Sequence, residues 1–296
     1  RRKKLMTLLQ AVLMGIIQGL TEFLPVSSSG HLALFEEIFG INEAGMVFDV
    51  MLHLGTLIAI FVAFWKDIKK LFIEGIHIIV SLFLNLITFF MNLAKKGSEK
   101  KEYQTVIETA YTKFVILIIV STIPTGILGV LLKDVVEKVS SSLIVVGICF
   151  IVTAVLLMIS DNANSGRKRV KSATYSDAAI IGLVQGLATL PGISRSGSTI
   201  TACQLCGFDK RFAVKYSFIM SIPAVLGAVI LELKDFAGLD ITGGELVNYG
   251  IGTLVAAIVG YICIKTMLVL IRGRRFKYFS YYLFAVGAFS IIWYLV

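Results

Sequence analysis

The sequence predicts an all-α polytopic membrane protein, and three observations lead to this prediction. Of its 296 residues, 57% are hydrophobic and only 16% are charged, whereas a soluble domain is usually about 45–50% apolar and about 25% charged. The mean hydropathy is +0.87. The hydrophobic residues also fall in runs of about 20 residues, the length that crosses the hydrocarbon core of a bilayer. These observations exclude a disordered chain and argue against a soluble globule.

The apolar runs predict the spanning helices in chain order. They lie near residues 46–65, 114–132, 143–160, 213–232, 247–271 and 279–296. The run 71–94 is also long enough, but it contains Glu74, His77, Asn85 and Asn92. This run could span the membrane, or it could lie as a hairpin or an interfacial helix.

Two shorter apolar segments, 5–24 and 177–193, differ from ordinary spans. Each ends at a proline, Pro25 or Pro191, and continues into a turn rich in Ser and Gly. Because an unpaired backbone group costs several kcal/mol in lipid, such a turn must be buried in protein or line a wet cavity. We therefore predict two re-entrant hairpins, at about 5–38 and 177–207.

The two hairpins are related by an internal repeat with a constant offset. Gly15 aligns with Gly182, and the stretch Gln18-Gly19-Leu20 aligns with Gln185-Gly186-Leu187. At the same offset, Ser27, Ser29 and Gly30 align with Ser194, Ser196 and Gly197. The offset predicts a duplication within one membrane domain, 1–296, with repeat one at about 5–160 and repeat two at about 175–296. Each repeat would hold one re-entrant hairpin and about three spanning helices.

Basic residues predict the orientation, because cytoplasmic loops are enriched in Lys and Arg. The basic segments are 66–113, 161–175, 209–215 and 272–277, whereas 33–45 carries three Glu and no basic residue. The first hairpin should then open to the outside and the second to the cytoplasm. The repeats would be inverted, and their turns would meet near the midplane. Only Arg1 to Lys4 conflict with this orientation.

Ionisable residues within the hairpins are candidates for function, because such groups are costly inside a membrane. Glu22 lies in the first hairpin, one helical turn after Gln18, and His31 follows the three serines of its turn. Arg195 lies between Ser194 and Ser196 in the second turn. A buried ion pair that only fixes the helices is the alternative, but the clustered serines and glycines exceed what such a pair requires.

The second turn has the composition of a phosphate-binding site. An arginine offers a phosphate two parallel N–H donors, and the backbone N–H groups at a helix start point toward an anion. Arg195 and the residues after Gly197 fit this description. The neighbouring hydroxyls could bind phosphate or cap the helix, and capping is at least as good an interpretation for Ser198.

The first turn supplies groups for phosphoryl transfer. Ser27 or Ser28 could act as the nucleophile with His31 as its base. Glu22 could hold a divalent cation, orient His31 or accept a proton. Since Mg²⁺ is held by one or two carboxylates plus substrate phosphates, Gln18 could add a neutral oxygen beside Glu22. A transporter or lipid flippase is the rival interpretation, because inverted repeats with a midplane anion site are typical of transporters; a carrier, however, needs only the anion-binding half.

The stretches QGLTEFLPVSSSGH (18–31) and PGISRSGST (191–199) resemble the two signature motifs of the undecaprenyl-diphosphate phosphatase, or bacitracin-resistance, family. Length and hydropathy agree with this family over essentially the whole chain. The resemblance implies an enzyme of the bacterial plasma membrane, with an active site that opens outward. It would hydrolyse undecaprenyl diphosphate to undecaprenyl phosphate and inorganic phosphate, which recycles the lipid carrier of peptidoglycan synthesis. The resemblance also implies a divalent cation, with Mg²⁺ expected and Ca²⁺ as the alternative.

The residues and the resemblance together give three expected sets of site residues. The catalytic set is Glu22, Ser27, Ser28, His31 and Arg195. The phosphate-binding set is Ser194, Arg195, Ser196, Gly197 and Thr199, and the metal-binding set is Glu22 and Gln18. Gln18 stands where many family members have a second Glu, so more depends on Glu22.

The expected partners are the lipid substrate and the bilayer, with a homodimer as a further candidate and no nucleic acid. His53 and His77 lie outside the polar turns and are expected to serve packing or an interface.

Overall fold

The computed structural model describes residues 6–40, 45–93, 100–140, 142–163, 166–232, 242–271 and 276–295. Within these ranges the chain is mostly helical and has no β-strand beyond one isolated bridge between Lys168 and Phe208. Six of the described helices are long and apolar enough to cross a membrane. The prediction of an all-α polytopic membrane protein is therefore confirmed. Arg1 to Lys4 lie outside the described residues.

The described residues form eleven α-helices. They are α1 (Leu8–Phe23), α2 (Ser28–Phe39), α3 (Gly45–Ala63), α4 (Trp65–Leu93), α5 (Ala110–Ser140), α6 (Leu143–Asn162), α7 (Tyr175–Leu187), α8 (Arg195–Leu205), α9 (Lys210–Glu232), α10 (Gly243–Leu270) and α11 (Phe276–Leu295).

The long apolar helices differ from the predicted spans at one place. The run 46–65 forms α3, whose apolar part, Val47–Ala63, is shorter than the six long helices. The run 71–94, which the sequence left open, belongs to the single 29-residue helix α4 and has the length and composition of a span.

Each predicted hairpin is a pair of short helices joined at a polar turn. The helices α1 and α2 have 16 and 12 residues, and α7 and α8 have 13 and 11. At 1.5 Å per residue they are about 16–24 Å long, which is less than the roughly 30 Å of hydrocarbon that a span must cross. These lengths agree with re-entrant hairpins.

Capping residues fix where the hairpin helices begin. Thr7 and Gln10 form a capping box at the start of α1, and Thr174 and Asp177 form one at α7. The Oγ of Ser194 accepts the N–H of Gly197 at 3.0 Å and so starts α8. Each cap satisfies backbone donors that the first helical turn leaves free.

Each hairpin packs against a long helix of the other half of the chain. A Cβ atom on Gly15 of α1 would lie 2.5 Å from the carbonyl oxygen of Gly252 in α10. A Cβ atom on Gly182, which the repeat pairs with Gly15, would lie even closer to the carbonyl oxygen of Ser121 in α5. Close approach at small residues is how membrane helices associate. This reciprocal packing agrees with a duplication; the repeat boundaries and the opposite orientation of the halves stay predictions.

Candidate active site

The two polar turns are in direct contact. A Cβ on Gly30 would lie 2.8 Å from the Cα of Gly192, and one on Gly197 would lie 3.2 Å from the Cβ of Pro25. The Oγ of Ser196 donates to the carbonyl oxygen of Leu24 at 3.3 Å. The glycines thus let the backbones of the two turns approach, and the charged residues of both turns lie in one place.

Glu22 lies at the centre of this place and is 6% exposed. Its Oε2 accepts hydrogen bonds from the Oγ of Ser28 at 2.5 Å and the Nε2 of Gln18 at 3.1 Å. Its Oε1 accepts from the Nη2 of Arg195. The Nδ1 of His53 lies 3.7 Å from Oε2. A buried carboxylate needs such partners, and four helices (α1, α2, α3 and α8) supply them.

Arg195 is the first residue of α8, and the turn before it is held from α6. The N–H of Ser194 donates to the Oγ1 of Thr153 at 3.0 Å, and this hydroxyl donates to the carbonyl oxygen of Gly192 at 3.1 Å. Gly192 has a φ of 91°, a backbone conformation that would be strained in a residue with a side chain. The guanidinium therefore emerges from a rigid turn and reaches across to Glu22.

Ser27 joins the two helices of the first hairpin in an unusual conformation, with φ 68° and ψ 104°. Among the described residues it is the only one other than glycine with positive φ. Such a conformation costs about 1–3 kcal/mol and persists where the surroundings impose it, often at functional sites. Here it turns the chain so that Ser28 faces Glu22 and the carbonyl of Ser27 faces His31.

His31 is held at both ring nitrogens. Its Nδ1 lies 2.7 Å from the carbonyl oxygen of Ser27, which can only accept, so Nδ1 carries the proton. In the neutral ring, Nε2, which lies 2.8 Å from the hydroxyl of Tyr282, then accepts the Tyr282 proton. The His31 ring also stacks on that of Tyr282, with centroids 5.7 Å apart, and meets Phe150 edge-on.

This geometry differs from the expected pairing of a serine with His31. The Oγ of Ser28 donates to Glu22, and neither Ser27 nor Ser28 offers its hydroxyl to His31. The Ser28 hydroxyl donates to the carboxylate of Glu22 because the unusual backbone conformation of Ser27 directs the Ser28 side chain toward α1.

Three hydroxyls of the second turn, those of Ser194, Ser196 and Thr199, have partners within the protein. The Oγ of Ser194 caps α8, and the Oγ of Ser196 donates to α1 as described above. The Oγ1 of Thr199 donates to the carbonyl oxygen of Arg195 at 2.8 Å and lies 2.5 Å from the Oγ of Ser217. Capping therefore belongs to Ser194, whereas the Oγ of Ser198 is buried without a partner among the described residues. The expected contacts of Ser194, Ser196 and Thr199 with phosphate stay predictions, because these hydroxyls have partners within the protein.

A divalent cation can be tested against the groups at this site. No cluster of three or more His, Cys, Asp or Glu able to hold a metal occurs in the described part of the chain. The Oε1 of Gln18, however, is buried beside Glu22 and has no hydrogen-bond partner among the described residues. One carboxylate and one free amide oxygen fit a Mg²⁺ ion that takes its other ligands from substrate phosphates and water.

Two site residues were missed by sequence reasoning. His53 of α3, expected to serve packing or an interface, lies 3.1 Å from the Nε2 of Gln18 as well as near Glu22. The Oγ1 of Thr56 also accepts from the Nε2 of Gln18, at 3.5 Å. The available signal was that the polar residues His53 and Thr56 lie three apart in an apolar run and so share one helix face. Tyr282 lies among other tyrosines of α11, and nothing in the sequence distinguishes it.

An apolar groove of about 350 Å³ between α2 and α11 leads to His31 and Tyr282. Its other lining residues are Leu34, Phe35, Ile38, Ala285, Val286 and Phe289. The polar site therefore adjoins a surface that suits a hydrocarbon chain.

Comparison with known proteins gives consistent matches over nearly the whole chain. The sequence model of the family described as bacitracin resistance protein BacA matches residues 11–289. An undecaprenyl-diphosphatase of Methanosphaera stadtmanae is 42% identical over 288 residues, covering 97% of this chain and 98% of that protein. One from Alkaliphilus metalliredigens is 40% identical over 292 residues, with 98% and 100% covered. Undecaprenyl-diphosphatase 4 of Bacillus thuringiensis is 38% identical over 289 residues, covering 97% of each chain.

Proposed function

The chain belongs to the bacitracin resistance protein BacA family, and we propose that it hydrolyses undecaprenyl diphosphate to undecaprenyl phosphate and inorganic phosphate. It is a multi-pass membrane enzyme of the phosphatase class. The observation that carries the assignment of its active site is Glu22, which accepts from Ser28 on one oxygen and from Arg195 on the other.

The substrate has an apolar tail and a charged head, and the site has a region for each. We assign the first part of the prenyl tail to the groove between α2 and α11, which ends at His31. The diphosphate then reaches Arg195 and the N–H groups at the start of α8. Because a diphosphate carries more charge than a carboxylate, it competes with Glu22 for the guanidinium.

Ser28 is the nucleophile in this proposal, and Glu22 is its base. As the Oγ of Ser28 bonds to the terminal phosphorus, its proton passes to Oε2 of Glu22. The bond from that phosphorus to the bridging oxygen breaks, and undecaprenyl phosphate leaves with that oxygen and takes the proton from Glu22. Water then attacks the phosphoserine and gives a proton to Glu22. The bond between phosphorus and Oγ breaks, and the proton returns to Ser28.

Direct attack of water is the alternative within the same chemistry. Glu22 or His31 would activate the water, and the serines would only bind phosphate. The 2.5 Å contact between Ser28 and Glu22 favours the covalent path. Phosphate found on Ser28 after rapid acid quenching and peptide mass spectrometry would distinguish the two paths.

A divalent cation, with Mg²⁺ as the first candidate and Ca²⁺ as the second, would be held by Glu22 and the Oε1 of Gln18. When bound, it neutralises the charge of the phosphates. Its binding is supported by the free, buried amide oxygen of Gln18. We expect Mg²⁺ together with a diphosphate to raise the thermal unfolding midpoint, and Gln18→Ala to reduce this increase.

We further propose the inner membrane as the location, with the site opening to the outer face. The acidic segment 33–45 after the first hairpin and the basic loops elsewhere support this orientation. The homodimer stays a prediction. A flippase without hydrolysis is not favoured, because a carrier has no use for the Ser28–Glu22 pair.

Phosphate release from undecaprenyl diphosphate by the purified protein in detergent tests the function. We expect Ser28→Ala and Arg195→Ala to lose nearly all release and Ser290→Ala to retain it. Ser290 is a suitable control because its Oγ donates to a carbonyl of its own helix and to no other atom in the described part of the chain. Release at the normal rate by Ser28→Ala and Arg195→Ala would contradict the proposed site, and no release by the unaltered protein would contradict the proposed function.

A further inference from the structure

An extended segment, residues 100–109, lies along one side of α4 in the opposite direction. Asn92 exchanges two hydrogen bonds of 2.8 Å with the backbone of Lys101, and Asn85 does the same with Gln104 at 2.7 and 2.8 Å. The seven residue steps from Asn85 to Asn92 in the helix and the three from Lys101 to Gln104 in the extended segment both cover about 10 Å. The spacing of the two asparagines therefore matches the spacing of their backbone partners. Near the start of α4, the Oγ1 of Thr109 donates to Glu74 at 2.9 Å.

Most of this segment has no hydrogen-bond partner in the described part of the chain. The backbone groups of residues 102–103 and 105–108 make no hydrogen bond there. Apart from Val106, the side chains of 100–109 are exposed, and they include Lys100, Lys101, Glu102 and Glu108. In lipid, each free backbone group would cost several kcal/mol, and each charge would cost more. This segment therefore requires water.

The helix α4 has one polar stripe, which this segment covers. The stripe consists of Glu74, His77, Ser81, Asn85, Thr88 and Asn92, spaced by three or four residues along one face. The other faces are apolar and exposed, with Phe72, Ile79, Phe83, Leu86 and Phe90 each more than half exposed. A helix with one polar stripe and otherwise apolar faces is amphipathic, with one face suited to water and the others to lipid.

The remaining contacts of α4 are near its beginning. Asp67 accepts from the hydroxyl of Tyr111 at 2.7 Å and pairs with Lys215 at 2.6 Å, and Lys70 lies over the Tyr111 ring. From Leu82 to Leu93 every apolar side chain is exposed, so this half leads away from the helix bundle.

Lysines also flank α4 at both ends. Lys66, Lys69 and Lys70 lie in its first turns, and Lys95, Lys96, Lys100 and Lys101 follow its last residue in the sequence. A spanning helix would put one of these clusters outside, against the usual distribution of basic residues.

We infer that α4 does not span the membrane but lies in the plane of its surface, on the side where α5 begins. Its apolar faces dip into the acyl chains of that leaflet, and the segment 100–109 lies above it in water. The length and composition of α4 also suit a span, but a span would carry the charged, unpaired segment through the hydrocarbon. Phospholipid of one leaflet is thus the partner of this surface.

The in-plane and the spanning arrangement of α4 place Lys101 on opposite sides of the membrane, so the location of Lys101 distinguishes them. Single cysteines at Lys101, at Glu108 before α5 and at Glu137 near the far end of α5 are labelled with a membrane-impermeant maleimide. The background has Cys149, Cys203, Cys206 and Cys263 replaced by Ala and is checked for phosphate release. Oriented vesicles are labelled first from one side and then, after permeabilisation, from both sides.

We expect Lys101→Cys and Glu108→Cys to be labelled from the same side and Glu137→Cys from the opposite side. Labelling of Lys101→Cys from the side of Glu137→Cys would overturn the inference. Failure of Lys101→Cys to react from either side would also overturn it, because that result means burial in lipid. The Glu108→Cys and Glu137→Cys variants are controls. Whatever the position of α4, they report whether the chain is inserted and folded.

Hydrogen exchange in lipid nanodiscs gives a second measurement on the unaltered chain. The amides of 102–103 and 105–108 should exchange within seconds, as in an unstructured peptide. Amides shielded by hydrocarbon would instead exchange at least about 100-fold more slowly, and that result would also contradict the in-plane arrangement.

Discussion

The Oγ of Ser28 lies 2.5 Å from the Oε2 of Glu22, and no histidine lies between them. A serine hydroxyl becomes a good nucleophile only when a neighbouring base takes its proton. In the proposed mechanism the base is a carboxylate from α1, and its other oxygen is paired with Arg195. The mechanism would therefore couple attack by Ser28 and release of Arg195 toward the phosphates at one side chain.

Replacement of the base tests this coupling. Glu22→Gln keeps the shape of the side chain but removes the proton acceptor, so we expect kcat to fall by about 10²- to 10⁴-fold. Phosphate release at saturating substrate is the measurement, and the exposed Glu108→Gln is the control. A decrease of less than about threefold in Glu22→Gln would exclude Glu22 as the base.

Arg195→Lys tests whether the phosphates need a bidentate hydrogen-bond donor. Lysine keeps the charge but loses the planar fork. Since a hydrogen bond to a charged group is worth about 1.5–3 kcal/mol, we expect kcat/KM to fall by about 10- to 100-fold. Arg169→Lys, on an exposed turn, should leave kcat/KM unchanged. Equal values for Arg195→Lys and the unaltered protein would show that charge alone is sufficient.

Tyr282→Phe tests the hydrogen bond that holds His31. The variant keeps the stacked ring but removes the donor to Nε2, and one neutral hydrogen bond is worth about 0.5–1.5 kcal/mol. We expect kcat/KM to fall by about 2- to 10-fold, with a further loss in Tyr282→Ala because the ring also lines the groove. Tyr278→Phe, one helical turn earlier and 60% exposed, is the matched control. If Tyr282→Phe behaves like Tyr278→Phe, the hydroxyl has no part in positioning His31.

Much of the site could be predicted because local composition and the repeat both point to it. Pro25 and Pro191 end apolar helices just before turns that only protein or water can accommodate. The repeat then implies that equivalent turns occupy equivalent places, which brings Glu22 and Arg195 together. Both inferences use patterns of neighbouring residues, and such patterns are visible in one sequence.

The remaining parts depend on how separate helices face one another. His53 and Tyr282 each stand in an ordinary apolar helix, and only the packing of α3 and α11 turns them toward α1 and α2. The hydrogen-bond acceptor of Ser28 depends on the backbone conformation of Ser27. A φ of 68° at this position cannot be predicted from a serine in the sequence. Likewise, the sequence of α4 suits either a span or an interfacial helix, and the path of 100–109 decides between the two.

Asp177 gives a prediction about pH and stability at the start of α7. Burial acts to raise its pKa, but the N–H and hydroxyl of Thr174 and the ammonium of Lys168 outweigh it, so the pKa lies below its usual value. A lowered pKa means that the charged form stabilises the folded protein above the unfolded pKa of about 3.9. This contribution is lost as the pH falls through the folded pKa.

We therefore expect Asp177→Asn to lower the unfolding midpoint at pH 7 and to lower it less at pH 3. Thermal unfolding in detergent at both pH values is the measurement, with the exposed Asp134→Asn as the control. A midpoint decrease that is the same at both pH values would assign the effect to packing.

Replacement of glycine by alanine should change stability in opposite directions at Gly15 of a hairpin and at Gly126 of a long helix. A Cβ on Gly15 would collide with the backbone carbonyl of Gly252, which cannot move aside as a side chain could. Overpacking of this kind costs about 1–3 kcal/mol, so Gly15→Ala should lower the unfolding midpoint and weaken activity, because α1 carries Glu22. At Gly126 of α5, no described atom lies within 4 Å of the position that a Cβ would take, and there alanine should stabilise the helix by about 0.5–1 kcal/mol. Thermal unfolding of both variants in the same detergent is the measurement, and a Gly15→Ala midpoint equal to or above that of Gly126→Ala would contradict the close contact between α1 and α10.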